Sequence, residues 1–399
     1  GFTGFVSRSA APDRQALHAM GDTIRHRGPD GEGHYIDQHC GIAHRRLSII
    51  DLANGQQPMI SPDGRYVLAY NGEIYNFQIL RRELVSAGHA FATNCDSEVI
   101  LHGYMEWGPQ VLKRLRGMFA FVIWDKEKQE LFGARDPFGI KPFYYAQMGD
   151  LFFFGSECKS FLPHPGFKKE LNPSALKLYL TFQYSALNES FFKNVYRLLP
   201  GHYLIHREGR TEFASYNTFS FEPEQMPLEK RAEQIREVVA ESVEAHQISD
   251  VEVGSFLSGG IDSSVIAALS RPDKTYSVGF ANKDFDETGE AKALCKELGL
   301  RNISKTISAQ EFFDALPAIQ YYADEPNANL STVPLYFLSQ LAAKDVKVVL
   351  SGEGADELFG GYITYHTTKP FRAYRKTPLA LRKAVAKRVS GLPKFHGQG

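Results

Sequence analysis

The stretch Ser258-Gly259-Gly260-Ile261-Asp262-Ser263-Ser264 sets two glycines, three hydroxyls and a carboxylate between an apolar run and a helical one. Glycines let a backbone close on a ligand, and N–H groups and hydroxyls at a helix N-terminus suit phosphate, so the stretch reads as an anion cradle. It has no lysine of the G-x-x-x-x-G-K-S/T kind and is not G-x-G-x-x-G. A tight strand-to-helix turn capped by Asp262 and Ser263 accounts for the same residues. A second Gly-rich and acidic segment, Ser351-Gly352-Glu353-Gly354-Ala355-Asp356-Glu357, follows another apolar run. In the first half, His26 to Gly31, His44 to Asp51, Tyr70 to Asn76 and Asp96 to Glu98 gather arginines, carboxylates and an Asn71-Gly72 pair, which by itself signals a hairpin turn.

The elements that must position these residues change character along the chain. Up to about residue 205, β-branched and aromatic runs such as 41–50, 65–71, 119–125, 131–134 and 151–156 predict strands, and 76–87 and 97–108 carry apolar residues at helical spacing. Sheets covered by helices follow. From the charged helix expected at 228–246 onward, strands (251–257, 275–280, 302–307, 346–350) alternate with helices (261–270, 287–298, 312–321, 334–343). Such alternation implies a doubly wound parallel sheet with ligands at the carboxyl ends of its strands. Gly, Ser and Pro mark a linker over 206–227. With 45 Lys plus Arg against 46 Asp plus Glu, the 399 residues carry a formal charge of -1, which gives no bias toward nucleic acid. No apolar run is long enough for a membrane helix, and Cys40, Cys95, Cys158 and Cys295 stand apart without metal spacing, as reduced thiols of a cytoplasmic protein would.

Taken together these segments carry a family resemblance. S-G-G-I-D-S-S at 258–264 resembles the pyrophosphate loop of the ATP pyrophosphatase superfamily, and 351–362 looks like the S-G-E-G-x-D-E-x-F-G-G-Y motif of glutamine-dependent asparagine synthetases. The four first-half clusters, with Arg116 to Phe121 and Arg135 to Pro142, resemble in order and spacing the glutaminase domain of class II amidotransferases. The resemblance implies an αββα sandwich of the N-terminal-nucleophile hydrolase kind over 1–205, then an α/β synthetase domain over 228–399. It implies glutamine held by Arg46, Leu47, Ser48, Ile49, Ile50, Glu73 and Asp96. The Arg46 fork would grip the α-carboxylate, Asp96 the α-ammonium, and the Asn71 amide and Gly72 N–H would form the oxyanion hole. ATP would meet Leu257, Ser258, Gly259, Gly260, Asp262, Ser263, Ser264, Val278, Ser351 and Gly352, with Glu353 catalytic. Asp262 and Asp356, with Glu357 close by, would hold Mg²⁺, a hard cation that favours oxygen donors and bridges phosphates. A solvated acidic loop is the plainer reading of Glu353, Asp356 and Glu357.

The implied reaction is ATP-dependent conversion of aspartate to asparagine with nitrogen from glutamine, by a homodimer without nucleic-acid or membrane partners. A relative acting on another carboxylate, closing a β-lactam or amidating a peptide, and a non-catalytic regulatory homologue are the alternatives. The family's nucleophile is a cysteine immediately ahead of a Gly-Phe-x-Gly-Phe strand, and Cys95, without a free α-amine, does not replace it. A cysteine just before Gly1 is expected because Arg46, Asn71, Gly72 and Asp96 are all kept; a degenerate glutaminase, as in the related β-lactam synthetases, is the alternative. Further helices bearing an Arg-x-Pro motif and a lysine are expected beyond residue 399. The basic stretch 369–399, nine Lys or Arg with no Asp or Glu, would pack against them. The segment Asp324 to Pro334 stands where the family places its aspartate-recognition loop but departs from the enteric-type T-T-I-R-A-S-T-P pattern.

Overall fold

The structure is a computed structural model and describes residues 1–9, 11–282, 286–365 and 368–390. Its first part contains β1 (Phe2–Ser7), β2 (Gly31–Ile36), β3 (Cys40–Arg46), β4 (Met59–Ile60), β5 (Tyr66–Ile74), β6 (Gly117–Asp125), β7 (Glu130–Arg135), β8 (Tyr144–Met148), β9 (Leu151–Gly155), β10 (Val195–Arg197), β11 (His202–Arg207) and β12 (Arg210–Ser215). With them come helices α1 (Arg14–Thr23), α2 (Phe77–Ser86), α3 (Ser97–Trp107) and α4 (Pro173–Phe182). Two antiparallel six-stranded sheets result, ordered β10-β8-β9-β1-β3-β2 and β12-β11-β7-β6-β5-β4.

The period of two along each strand decides the layering. Phe2, Val6, Ile42, Phe152 and Phe154 of the first sheet meet Val67, Ala69, Ala120, Val122 and Trp124 of the second. The intervening Phe5 and Phe153 face outward onto Leu17 and Met20 of α1. Phe119, Phe121 and Ile123 likewise face Leu80, Leu84, Val99 and Ile100 of α2 and α3. Strands buried on both faces read as the continuous apolar runs seen in the sequence, and each fully buried Phe adds about 1.5–3 kcal/mol relative to exposure. The sandwich is therefore αββα. It extends past the expected boundary: β11 and β12 pair from His202↔Ser215 to Arg207↔Arg210, with Phe213 opposite Leu204, so the irregular connection covers 216–227.

After α5 (Leu228–Ala245), strands β13 (Val253–Phe256), β14 (Lys274–Phe280), β15 (Arg301–Ile307) and β16 (Val348–Leu350) form a parallel sheet in the order β15-β14-β13-β16. The connecting helices are α6 (Ile261–Ser270), α7 (Thr288–Leu298), α8 (Ala309–Ala323) and α9 (Thr332–Ala342). They cover both faces: Thr275 touches Cys295 of α7, whereas Tyr276 packs with Ala342 of α9. Strand order reverses between β13 and β16, which opens the crevice where doubly wound sheets take ligands. Helix α9 runs antiparallel to these strands. Its first turns, through Val333 and Phe337, meet Phe280 and Ile307 at the carboxyl edge, and its end, at Ala342, meets Tyr276 near the amino edge. The segment ahead of α9 therefore lies at the carboxyl edge.

Helices α10 (Ala355–Phe359), α11 (Lys369–Lys376) and α12 (Leu379–Ser390) follow; of the basic stretch, 391–399 lie outside the described residues. No helix among the described residues is long and apolar enough to cross a membrane, and all four cysteines are free and buried.

Candidate active site

A cavity of about 330 Å³ opens at the ends of β3 and β5 in the first part of the chain. Strand β3 delivers His44 and Arg46, β5 delivers Tyr70, Asn71, Gly72 and Glu73, and Asp96 comes from the residue preceding α3. Leu47, Ile49 and Ile50 line it as well, as does Gly1. Ser48 does not; its N–H turns away to Asp30 Oδ2 at 2.9 Å. Asp96 caps no backbone of α3, although it occupies the cap position. Its Oδ2 instead accepts from Tyr70 Oη at 2.7 Å and from the Ile74 N–H at 2.9 Å, which aims the carboxylate at the cavity.

Both signs of charge line this cavity. Glu73 is 8% exposed and has no Lys, Arg or His nitrogen within ion-pair distance among the described residues. Burial raises its pKa, only partly opposed by Lys141, and burial likewise raises that of Asp96. Burial lowers the Lys141 ammonium. Arg46 is fixed along one side by carbonyls, Leu52 O at 3.1 Å, Asp51 O at 2.6 Å and Ile50 O at 3.2 Å, and makes no ion pair among the described residues. A zwitterion is what two buried carboxylates and a guanidinium, all without an ion-pair partner among the described residues, would complement.

Three buried polar atoms here have no hydrogen-bond partner among the described residues: Asn71 Nδ2, His44 Nδ1 and Arg27 Nε. His44 is held neutral by burial and meets Tyr70 O through Nε2 at 2.9 Å, so Nδ1 is left as an acceptor. Such orphans are costly, at roughly 1–3 kcal/mol each, and in one cavity they point to a ligand. Gly72 adds a donor. Its partner in register, Phe119, spends its N–H and carbonyl on Asp136, so Gly72↔Phe119 is the non-hydrogen-bonded position and the Gly72 N–H turns away from β6. Strand β4 pairs only with Val67 and Leu68, which leaves that side of Gly72 open. The turn reading of Asn71-Gly72 is thus overturned: both lie inside β5, and glycine is needed because a Cβ at 72 would sit 2.2 Å from Met118 O.

Cys95 also lines the cavity, but burial first, and then Asp96, push its thiol up to about 11, which keeps it protonated and a poor nucleophile. Sequence reasoning assigned no role to Tyr70, His44, Gln57 or Lys141. Lys141 sat in the quoted Arg135 to Pro142 cluster, whereas Gln57, which accepts the Tyr70 N–H at 2.7 Å, carried no local signal. A wider cleft of about 960 Å³ between Asp51, Arg81, Asn94 and Asp250 holds none of these groups except Ile50.

The second constellation lies at the carboxyl edge of the parallel sheet, where β13 and β16 end side by side. Ser263 Oγ receives the Ser258 N–H at 3.1 Å and lies 3.3 Å from Gly260 O; Ser264 Oγ donates to Gly260 O at 2.7 Å. Helix α6 starts after Gly260 without a side-chain cap, so Asp262 and Ser263 are not the caps that a plain turn would require. As at any helix N-terminus, its first N–H groups have no partner within the helix. A Cβ at Gly352 would lie 2.8 Å from Asp262, so the two glycine loops touch. Glu353 is exposed, and Glu357 accepts from Tyr362 Oη at 2.7 Å. Leu257 is buried with Ala267 and Cys295, its N–H bonded to Tyr276 O and its carbonyl to the Ser277 hydroxyl, and Val278 packs toward Ile307. Among the described residues no three His, Cys, Asp or Glu converge as a metal cluster.

Comparison with known proteins matches residues 1–217 to a family described as a glutamine amidotransferase domain and 234–396 to one described as asparagine synthase. The chain is 33% identical over 417 residues to the putative glutamine-hydrolyzing asparagine synthetase 2 of Methanocaldococcus jannaschii, covering 97% of this chain and 80% of that protein. It belongs to the glutamine-hydrolysing asparagine synthetase family. Glutamine-hydrolyzing asparagine synthetase 1 of Bacillus subtilis (strain 168) is 41% identical over 402 residues, and a putative one of Mycobacterium tuberculosis (strain H37Rv) 42% identical over 415. Both alignments cover 98% of this chain, which spans 63% of the length of each of those family members.

Proposed function

We propose that this chain supplies the glutaminase site and the nucleotide-binding part of an enzyme that makes asparagine from aspartate, with ATP as activator and glutamine as nitrogen donor. The observation that carries the reading is the first cavity: two carboxylates with raised pKa, a fixed guanidinium and an orphaned Asn71 amide face one space of amino-acid size. Arg46 takes the α-carboxylate of glutamine, and Asp96 and Glu73 take its α-ammonium, the counter-charge both lack. Leu47, Ile49 and Ile50 wall the side chain, and Ser48 contributes only by fixing that wall to Asp30. Asn71 Nδ2 and the Gly72 N–H receive the oxyanion of the tetrahedral intermediate. A cysteine ahead of Gly1, with its own amine as base, is the attacking thiol.

Residues 258–264 and 351–356 fit a nucleotide: a cradle open at a helix N-terminus, with a second glycine loop packed against it so closely that Gly352 has no room for a Cβ. Asp262 and Asp356 suit Mg²⁺, which takes one or two carboxylates and fills its remaining positions with phosphate oxygens and water. ATP supplies the activation of the aspartate β-carboxylate, with pyrophosphate released. Ser258 and Ser264 hold the phosphates with the backbone of Gly259, Gly260 and Ser351, and Glu353 orients the acceptor. Leu257 and Val278 only shape the nucleoside wall. Ammonia passing between the sites without meeting water stays unprotonated, the only form that attacks. We assign the enzyme to the cytoplasm, on its free thiols, and to a homodimer, which sedimentation at enzyme concentrations tests. Incubating the full-length protein with ATP, glutamine and a panel of carboxylates, followed by mass spectrometry, tests the whole reading. Asparagine is the expected product; a β-lactam, an amidated peptide or no product rejects it.

A further inference from the structure

Among the described residues, a buried chain of charges runs from the wall of the first cavity to the edge of the parallel sheet. Glu157 Oε1 accepts from Arg27 Nη1 at 2.7 Å and from His26 Nε2 at 2.8 Å, and both donors line the cavity. Glu157 Oε2 lies 2.5 Å from Lys159 Nζ, with side-chain exposures of 4% and 8%. Lys159 Nζ in turn donates to Tyr321 O at 3.1 Å and stands 3.6 Å from Asp324 Oδ1. Asp324 accepts the N–H groups of Cys158 and Lys159, the latter at 3.0 Å, and the adjoining Glu325 pairs with Arg197 and accepts the Phe191 N–H at 3.2 Å.

Asp324 follows the last turn of α8, and 324–331 leads into α9 at the carboxyl edge, the edge that also carries 257–260 and 351–354. The segment is braced from within: the Gln320 side chain holds both the N–H and the carbonyl of Asn327, and Asn329 ties Ser331. Its placement is therefore set where it is anchored, at Asp324 and Glu325. Removing one partner of a buried pair strands the other, so Glu157, Lys159 and Asp324 are held to one another as a unit.

We propose that Glu157, Lys159 and Asp324 are positioning residues that couple the two sites, so that glutamine in the first cavity fixes Arg27 and, through this chain, seats 324–331 over the carboxyl edge of the parallel sheet. This rests on the glutaminase reading above. Binding linkage makes it reciprocal: an acceptor that seats 324–331 tightens glutamine by the same factor. Ammonia is then generated when the receiving edge is closed.

Hydrogen exchange on the full chain, with and without saturating glutamine, tests it. In the wild type, exchange within 324–331 slows threefold or more on adding glutamine, together with 70–74. In Lys159→Met and in Asp324→Asn, glutamine still protects 70–74 but no longer slows 324–331. Protection of 70–74 alone in the wild type overturns the coupling, and so does protection of 324–331 that survives both substitutions. Glutamine that protects neither segment overturns the glutaminase reading and the coupling with it.

Discussion

Replacing Asn71 by Ala separates stability from catalysis with opposite signs. Without ligand, Nδ2 of Asn71 is buried and unpartnered, a desolvation cost of about 1–3 kcal/mol that the folded chain bears. Alanine removes that cost and gives up a few side-chain contacts at a position that is not fully buried, for a net gain of about 1 kcal/mol. In a sandwich of this size that raises the melting temperature by roughly 2–4 °C. The same amide, once it faces an oxyanion, contributes about 2.7–4 kcal/mol to the transition state, so glutamine hydrolysis falls roughly 10²- to 10³-fold in kcat. The assay is glutamate release by a chain with Cys ahead of Gly1 and any initiator Met removed, beside a thermal melt of the same two proteins. A variant that melts lower than its parent, or that hydrolyses glutamine at the parent rate, refutes the assignment of Asn71.

Other outcomes follow from the same geometry. Arg46→Ala or Asp96→Ala should weaken glutamine use well over tenfold, since losing one partner of a buried charged pair costs about 2–5 kcal/mol, while ammonia-dependent synthesis by the full-length enzyme persists. Glu73 has a folded pKa above its unfolded value, so its protonated form stabilises the empty protein below the ordinary carboxylate range, and that contribution is lost as pH rises through the raised value. Melts across that window should show Glu73→Gln gaining on the wild type with increasing pH; parallel curves would exclude a strained Glu73. Asp262→Asn and Asp356→Asn should abolish acceptor-dependent pyrophosphate release and spare glutamine hydrolysis. Gly352→Ala, whose new Cβ would fall 2.8 Å from Asp262, should force the two loops apart and cut the same pyrophosphate signal at least tenfold, against little change if the loops do not pack on one another.

The second half was legible because its signals are local. Alternating apolar runs and helical spacing placed α6 at 261–270 as observed and each strand to within a few residues, and glycine loops at strand ends name their own position in a parallel sheet. In the sandwich, the strands showed themselves as aromatic runs, but their facing did not, since strands buried on both sides look apolar throughout. Asn71-Gly72 misled for a physical reason: the pair favours a turn, yet the pairing of residues 66–74 with β6 outweighs that preference, and the missing Cβ serves the close approach of Met118 O. Ser48 illustrates another limit, because a residue inside a binding motif can spend its backbone on scaffolding. Gln57 and the contacts of Asp324 with Cys158 and Lys159 depend on residues 13 to 166 positions away, which no window of sequence reports.

The two sheets of the sandwich find every strand partner within the first 215 residues, whereas Lys347, whose ammonium meets Asp30 at 2.7 Å beside the Arg46 strand end, comes far later. On a ribosome adding about 5–20 residues per second, the sandwich can close as a unit while the parallel sheet is still being made, and the brace from Lys347 arrives roughly 7 to 26 s afterwards. Newborn chains thus spend that interval with a finished cavity and an unbraced wall, and a pulse-labelled nascent sandwich should bind glutamine less tightly than the completed protein. Under the proposed function, synthesis order itself would then delay nitrogen release until the domain that receives it exists.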